Sequence, residues 1–312
     1  MSRPKPSLSV VVPVYNSAGM LTTLISRLEP VLREHSSAFE LILINDGSRD
    51  DSWAVIQRLC RVHAWVRGID MLRNYGQHNA ILCGIRAARH EWIATMDDDL
   101  QHPPEELPKL LAELDRGLDV VYGPPEREQH GLLRDLASQI TKYALQNAMG
   151  AATARSVSAF RVFRTELRGA FAEYRNPYVS IDVLLTWGTR RFGAVKVRHD
   201  ARAEGVSNYT YRKLIVHALN MITGFSTFPL QLASWVGFLF ALFGMAMLAY
   251  VLISYFLRGS TVSGFTFLAS MIAVFAGAQL FALGILGEYL ARMHFRMMDR
   301  PAYAVRRESG PE

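Results

Sequence analysis

The chain has little cysteine: two residues in 312, Cys60 and Cys83. That excludes a disulfide-stapled scaffold. Neither cysteine lies in a CxxC or has a His or second Cys at metal-ligand spacing, so both read as reduced thiols in helices. The N-terminus lacks the long apolar core and small-residue cleavage site of a signal peptide. Its short apolar run stops at Pro13 and reads as a buried first strand. Charge is missing from two long stretches. No Asp, Glu, Lys or Arg occurs between Leu214 and Leu257, or between Gly259 and Gly287, and Arg258 alone separates the two. What remains is basic, with a formal net charge of +6. That favours nucleic acid, acidic head groups or phosphorylated substrates.

A membrane-crossing helix needs about 20 apolar residues. Each uncharged stretch supplies one, at roughly 230–257 and 264–287, joined by a short link at Arg258-Gly259-Ser260 into a hairpin. A soluble core helix of this length would keep a polar stripe, and neither stretch has one. Arg202, Arg212 and Lys213 precede the first span, and Arg292, Arg296, Arg300, Arg306 and Arg307 follow the second. Positive charge stays on the cytoplasmic side, which places both termini and the N-terminal domain in the cytoplasm. The basic residues cluster beside the spans, so the charge speaks for lipid and against nucleic acid. Leu132, Leu133, Leu136, Ile140 and Tyr143 share a helical face, as either an interfacial or a core-facing helix. Residues 211–228 form a second amphipathic helix leading into the first span. Gly237, Gly244, Gly277 and Gly284 offer close-packing faces for self-association into a homo-oligomer. The expected organisation is an N-terminal domain over 1–210, a juxtamembrane helix at 211–228, two spans within 229–290, and a basic tail at 291–312.

From residue 7 to 122, apolar strand-like runs alternate with helical ones. Strands are expected at Leu8–Val14, Phe39–Ile44, 66–71, Glu91–Met96 and Leu118–Tyr122, with helices between them. Apolar strands alternating with helices predict an α/β fold, a Rossmann-like, mostly parallel sheet covered on both faces. Ligands of such sheets bind at the carboxyl ends of the strands. There the sequence places Pro13-Val14-Tyr15-Asn16, Asn45-Asp46-Gly47-Ser48, Arg73-Asn74-Tyr75-Gly76-Gln77 and Asp97-Asp98-Asp99-Leu100-Gln101. Residues i and i+2 of extended chain point the same way, so Asp97, Asp99 and Gln101 are expected to converge, with Asp98 turned toward backbone amides or a helix N-terminus; the alternative is a solvated acidic turn capping the next helix. Three oxygen donors suit Mg²⁺ or Mn²⁺ and leave positions for phosphate. Asp46 reads either as a turn-former before Gly47 or as an acceptor for a nucleobase N–H.

The stretches VVPVYN at 11–16, NDGSRDDS at 45–52, LRNYGQHNA at 72–80, MDDDLQHPPEEL at 96–107 and RAEGVSNYTYRKL at 202–214 carry a resemblance. The chain resembles glycosyltransferase family 2 with its GT-A fold. Within it the chain looks like the dolichol-phosphate mannosyltransferase branch and the bacterial undecaprenyl-phosphate and other polyprenyl-phosphate glycosyltransferases. The resemblance implies that Asp97, Asp99 and Gln101 hold the metal and donor diphosphate. It implies that Pro13, Tyr15, Asp46, Ser48, Arg73 and Asp98 serve the nucleotide-sugar site. Arg202 and Ser207 match the loop that closes over the leaving diphosphate, and Arg127, Arg134 and Ser138 match the group that holds the acceptor phosphate. Asp99, Arg127 and Arg202 are the implied catalytic residues. Ser17, Asp98 and Asn208 stand where the family often has Glu, Ala and Lys.

The activity implied is transfer of a sugar from a nucleotide donor to a polyprenyl-phosphate lipid at the cytoplasmic membrane face. A phosphate monoester has a second pKa near 6 and is largely dianionic at pH 7, so no dedicated protein base is expected. A processive polysaccharide synthase would carry QxxRW; here Gln231 is followed by Leu-Ala-Ser-Trp. An enzyme extending a lipid-linked glycan at a hydroxyl would need a base in the acceptor pocket. A non-catalytic nucleotide-sugar-binding scaffold would not need the strand-end acids, which are intact.

Overall fold

The structure, a computed structural model, describes residues 4–126, 156–176, 178–200, 228–258, 264–298 and 300–311. The chain divides into two compact units, 1–214 with 299–312 and 215–298.

In the first unit, β1 (Ser7–Val14), α1 (Leu21–His35), β2 (Ala38–Asn45), α2 (Ser52–Val62), β3 (Val66–Met71), α3 (Gln77–Ala87) and β4 (Trp92–Thr95) alternate as the apolar pattern predicts. Next come α4 (Leu107–Asp115), β5 (Val120–Tyr122), β6 (Arg161–Arg164), α5 (Ile181–Gly188), β7 (Phe192–Ala194) and, much later, β8 (Val305–Ser309). The described strands form one sheet in the order β7-β5-β6-β4-β1-β2-β3-β8. β4, β1, β2 and β3 run parallel, while β6 and β8 run antiparallel to their neighbours. Mostly parallel is therefore correct. The antiparallel β6 lies between β4 and β5, where the alternating pattern of residues 7–122 gave no sign of it.

Both sheet faces are buried, which is why β1 and β2 are continuous apolar runs. Val10, Val12, Val14, Leu41 and Leu43 face a core with Leu21, Leu24, Leu28, Ile56 and Leu110. Val11, Ile42 and Ile44 face the other, with Ile81, Leu82, Ile85 and Leu184. Helix α3 sits close on the strands because Gly84 has no side chain; a Cβ there would lie 2.4 Å from Val11 Cγ1. Arg161 of β6 is 2% exposed and ion-paired with Asp182 at the start of α5, whose Oδ1 also accepts the Tyr122 hydroxyl at 3.1 Å. This buried pair fixes β6 opposite Thr95, the last residue of β4.

The segment read as a basic tail, 291–312, is not a tail throughout. Helix α7 (below) runs to Met297, and Val305–Ser309 pairs with β3. The strand was missed because Val-Arg-Arg-Glu-Ser has little apolar alternation. It earns its place by covering a sheet edge.

The second unit holds α6 (Phe228–Arg258) and α7 (Phe265–Met297), of 31 and 33 residues. At about 1.5 Å per residue each exceeds a hydrocarbon core of roughly 30 Å. Pro229–Ser254 and Val274–Ala291 are long and apolar enough to cross a membrane, and large side chains such as Trp235 and Leu239 are exposed on them. Phe275 of α7 lies against Gly244 of α6, 5.8 Å from the Phe240 ring. Gly244 thus serves contact within the hairpin. Gly237, Gly277 and Gly284 meet nothing within 4 Å among the described residues.

At the amino-end edge of the sheet, Glu40 accepts bonds from Ser9 Oγ (2.7 Å), Arg67 Nη1 (2.9 Å) and the Arg89 amide (2.7 Å). Burial pushes this carboxyl up, but the hydroxyl, guanidinium and amide together bring it below its ordinary value of 4.5. A carboxyl depressed in the native state contributes stability above its unfolded pKa and loses it as pH falls through the native value. Thermal unfolding in detergent should therefore show stability dropping below about pH 4.5, with a shallower drop for Glu40→Gln. Identical slopes for the two proteins would exclude this role.

Candidate active site

The strand order β3-β2-β1-β4 reverses direction at β1, and folds of this kind bind ligands at the carboxyl ends of the strands on either side of such a reversal. The sequence motifs stand at that edge, and hydrogen bonds join their loops into a closed ring. The loop after β1 meets the loop after β2: the Asn16 amide donates to Ser48 Oγ (3.1 Å), the Arg49 amide to Asn16 Oδ1 (2.8 Å) and the Ala18 amide to Asp50 Oδ2 (3.1 Å). The loop after β2 meets the loop after β3: Asp46 accepts the Tyr75 amide at 2.6 Å and the Gly76 amide at 2.9 Å. The loop after β3 meets the loop after β4: Gln77 Nε2 donates to Asp97 Oδ1 at 2.6 Å. The ring closes where the Tyr15 amide donates to Asp98 Oδ2 at 3.3 Å.

Strain gathers in the same loops. Among the described residues, the two non-glycine positions with positive φ are Asn16 (56°) and Leu100 (58°). Such conformations persist where the surroundings over-determine them, commonly at functional sites. Gly47 has φ +65°, and a Cβ there would lie 2.4 Å from the Asn74 amide nitrogen.

Asp46 is 3% exposed, and each of its oxygens serves one backbone amide. Burial pushes its carboxyl up, against the pull of those amides. Its visible work is to clamp the loop carrying Arg73-Asn74-Tyr75. Tyr15 is 41% exposed, and the Arg73 guanidinium lies 4.5 Å from the Tyr75 ring centroid. Pro13 is buried inside β1 beside Ile44.

The acids do not sit on extended chain as the alternation argument assumed. β4 stops at Thr95, Asp98 and Asp99 lie in a turn, and Leu100 takes its positive φ next. Asp97 and Asp99 are half-buried, and Asp99 Oδ1 accepts the Gln101 amide at 3.2 Å. Asp98 faces backbone amides as expected. Burial raises its pKa against the Ser17 and Tyr15 contacts, and Asp99 adds to the rise. The Asp200 amide donates to Gln101 O at 2.9 Å, bringing the chain just before Arg202 to the acid turn. His102 and His199 meet there with ring centroids 4.9 Å apart. Burial, then His199, pushes His102 down to about 4, so it is neutral at pH 7. Arg127, Arg134, Ser138, Arg202 and Ser207 lie outside the described residues.

Sequence reasoning missed the partners that hold the site. Gln77 was legible as the residue after Gly76 but signals nothing by type. The pairing of Asn45 Nδ2 with Asp70 Oδ1 at 2.7 Å exists only because β2 and β3 are in register there.

Four laced loops stand beside a reversal of strand order, the place where α/β folds of this kind bind their ligands. The family model described as glycosyl transferase family 2 matches residues 9–170. An undecaprenyl-phosphate 4-deoxy-4-formamido-L-arabinose transferase of Pseudomonas savastanoi pv. phaseolicola is 34% identical over 308 residues, 97% of this chain and 91% of that protein. A protein of the same description from Shewanella sediminis is 34% identical over 301 residues, 96% of this chain and 91% of that one. The chain belongs to glycosyl transferase family 2. It shares the GT-A fold with glucosyl-3-phosphoglycerate synthase of Mycobacterium tuberculosis, solved with Mn²⁺, UDP and glucosyl-3-phosphoglycerate, at a TM-score of 0.53 and 19% identity. That match covers 70% of this chain and 78% of the synthase.

Among the described residues no group of three His, Cys, Asp or Glu side chains is gathered for a metal. Asp97, Asp99 and Gln101 offer two carboxylates and one amide oxygen on a single turn. Such a set fits a hard divalent ion that takes its other ligands from diphosphate and water.

Gly47→Ala should disrupt two loops at once, since both its positive φ and the Asn74 backbone oppose a side chain. A fall of about 1–3 kcal/mol in unfolding free energy, with weakened nucleotide binding, is expected. Unchanged stability and binding would show that the two loops are not locked together.

Proposed function

We propose that this glycosyltransferase moves a sugar from a nucleoside-diphosphate donor to a polyprenyl phosphate, undecaprenyl phosphate first among them, by one inverting displacement at the membrane surface. The observation that carries the donor half is the Asp97–Gln101 turn at the strand-order reversal, tied through Gln77 to the other loops. Support for the acceptor half comes from relatives described as undecaprenyl-phosphate sugar transferases, which match nearly end to end, hairpin included.

Tyr15, Asp46, Ser48 and Arg73 hold the nucleotide, with Pro13 and Asp98 supporting the loops and Ser207 acting on the diphosphate. Asp97, Asp99 and Gln101 would hold Mg²⁺ or Mn²⁺, which would supply positive charge to the departing diphosphate. Arg202 adds a guanidinium to the same leaving group. Arg127, Arg134 and Ser138 orient the acceptor phosphate. Planar guanidinium forks suit phosphate oxygens. The acceptor oxygen is already anionic near pH 7, so it attacks the anomeric carbon without a protein base.

The acceptor's phosphate sits at the bilayer surface and its tail within the bilayer. A pocket that reaches it must be held at that surface, and the hairpin provides the anchor. Basic flanks contribute about 1 kcal/mol per residue toward anionic head groups. They also orient both termini and the catalytic unit toward the cytoplasm.

The test is to incubate membranes containing the protein with labelled nucleotide sugars and polyprenyl phosphate, then extract with organic solvent. Label entering the organic phase supports the reading; label appearing only as free sugar or in polymer sinks it. Asp99→Ala should lower turnover by at least about 100-fold, the usual loss for one electrostatic stabiliser. Chelator should abolish transfer by the parent protein, and Mn²⁺ or Mg²⁺ should restore it. Near-parental transfer by Asp99→Ala in chelator would eliminate the metal role.

A further inference from the structure

Beyond α7 the chain comes back to the sheet, and its contacts there lead into the loops that form the donor site. β8 runs antiparallel to β3, with Arg307 opposite Asp70. Arg307 Nε donates to Asp70 Oδ2 at 3.1 Å, and its guanidinium lies 5.1 Å from the Trp53 ring centroid. Asp70 is buried and its other oxygen accepts Asn45 Nδ2 at 2.7 Å. Asn45 Oδ1 in turn accepts the Ser48 amide at 3.3 Å, and Ser48 Oγ accepts the Asn16 amide. One line of polar partners thus runs from the C-terminal strand across the ends of β3 and β2 to the loop after β1. A second hold lies beside it. The Leu72 amide donates to Ala304 O at 2.9 Å, and Arg306 Nη2 donates to Leu72 O at 3.0 Å. Leu72 is where the Arg73–Gln77 loop begins.

We propose that Arg307 is a positioning residue for the donor site. Through Asp70 and Asn45 it sets the Asp46–Ser48 turn, and with Arg306 it makes the segment after the second apolar helix a determinant of nucleotide affinity. The physical case rests on Asp70. Burying a carboxylate is costly unless a cation and hydrogen-bond donors meet it. Arg307 is the cation opposite it in register. Without that guanidinium, Asp70 is held only from the Asn45 side, and the Asn45 amide loses its fixed orientation. The Ser48 amide then loses a fixed acceptor, and the loop carrying Asp46 loosens. The proposal depends on the donor-site reading above.

The test uses the full chain in nanodiscs. Hydrogen exchange of residues 45–50 and 72–77 is followed with UDP, GDP, CDP and ADP in turn, and donor KM and kcat are measured with the sugar nucleotide that supports transfer. In the parent protein one diphosphate should protect both segments. Arg307→Ala should lose that protection and raise donor KM about tenfold, with kcat within about twofold, as expected for lost uniform binding through a charged hydrogen bond. Arg307→Lys, which keeps the charge, should recover most of the affinity. Glu308→Ala on the same strand, whose nearest cation is Arg67 at 3.9 Å, should leave KM unchanged. If Arg307→Ala does not fold, Asp70→Asn, which removes the charge between Arg307 and Asn45, should show the same KM increase. Parental protection and KM in Arg307→Ala, or equal loss in Glu308→Ala, overturns the proposal and leaves the donor site standing. Failure of every diphosphate to protect either segment in the parent overturns both.

Discussion

The site depends on the mutual support of four loops that have little structure of their own. The turns after β1, β2 and β4 each carry an unfavourable feature: a positive φ at Asn16 and Leu100, a glycine under a backbone at Gly47, and a cluster of like charges at 97–99. Alone, none would hold its shape. Together they close a ring in which carboxylates and amides of one loop satisfy amides of the next. A buried carboxylate such as Asp46 is tolerable because two N–H groups meet it, and those N–H groups are ordered because it is there. Pre-organisation of this kind lets a site meet a diphosphate without ordering itself at the moment of binding.

The sheet serves this ring from below. Residues facing alternately into two cores make β1 and β2 rigid and fix their register. The buried Arg161–Asp182 pair locks β6 against β4 immediately before the acid turn. At the opposite edge, Glu40 gathers Ser9, Arg67 and Arg89. Polar groups at the amino ends of the strands therefore stabilise the sheet, while those at the carboxyl ends are available for chemistry. This is the usual division in parallel sheets.

The apolar hairpin places a different demand on the chain. Two helices of more than 30 residues with exposed apolar surface are long and apolar enough to cross a membrane. Because β8 follows the hairpin and belongs to the same sheet as β1, the globular unit is built from segments on both sides of the apolar helices. The hairpin is an insertion in the catalytic unit rather than an appendage to it. The two units are accordingly linked by covalent chain at two places.

Composition and period determined the broad outline. Alternation of continuous apolar strands with helices from residue 7 to 122 was enough for a parallel-centred α/β sheet, because burial on both faces leaves no other pattern. The uncharged stretches were enough for two long helices, since only length and the absence of charge matter there. The motifs at strand ends pointed to a candidate site because topology sends ligands to that edge. Tertiary structure alone decided the rest. Polar Val305–Ser309 becomes a strand because an exposed sheet edge supplies its hydrogen bonds, and no local pattern records that edge. Asp46 proves to be a clamp because Tyr75 and Gly76, some thirty residues away, turn their amides toward it. Asp97 and Asp99 take their directions from a turn instead of a pleat. In each case the deciding partner is distant in sequence, and only the folded chain brings it within hydrogen-bonding reach.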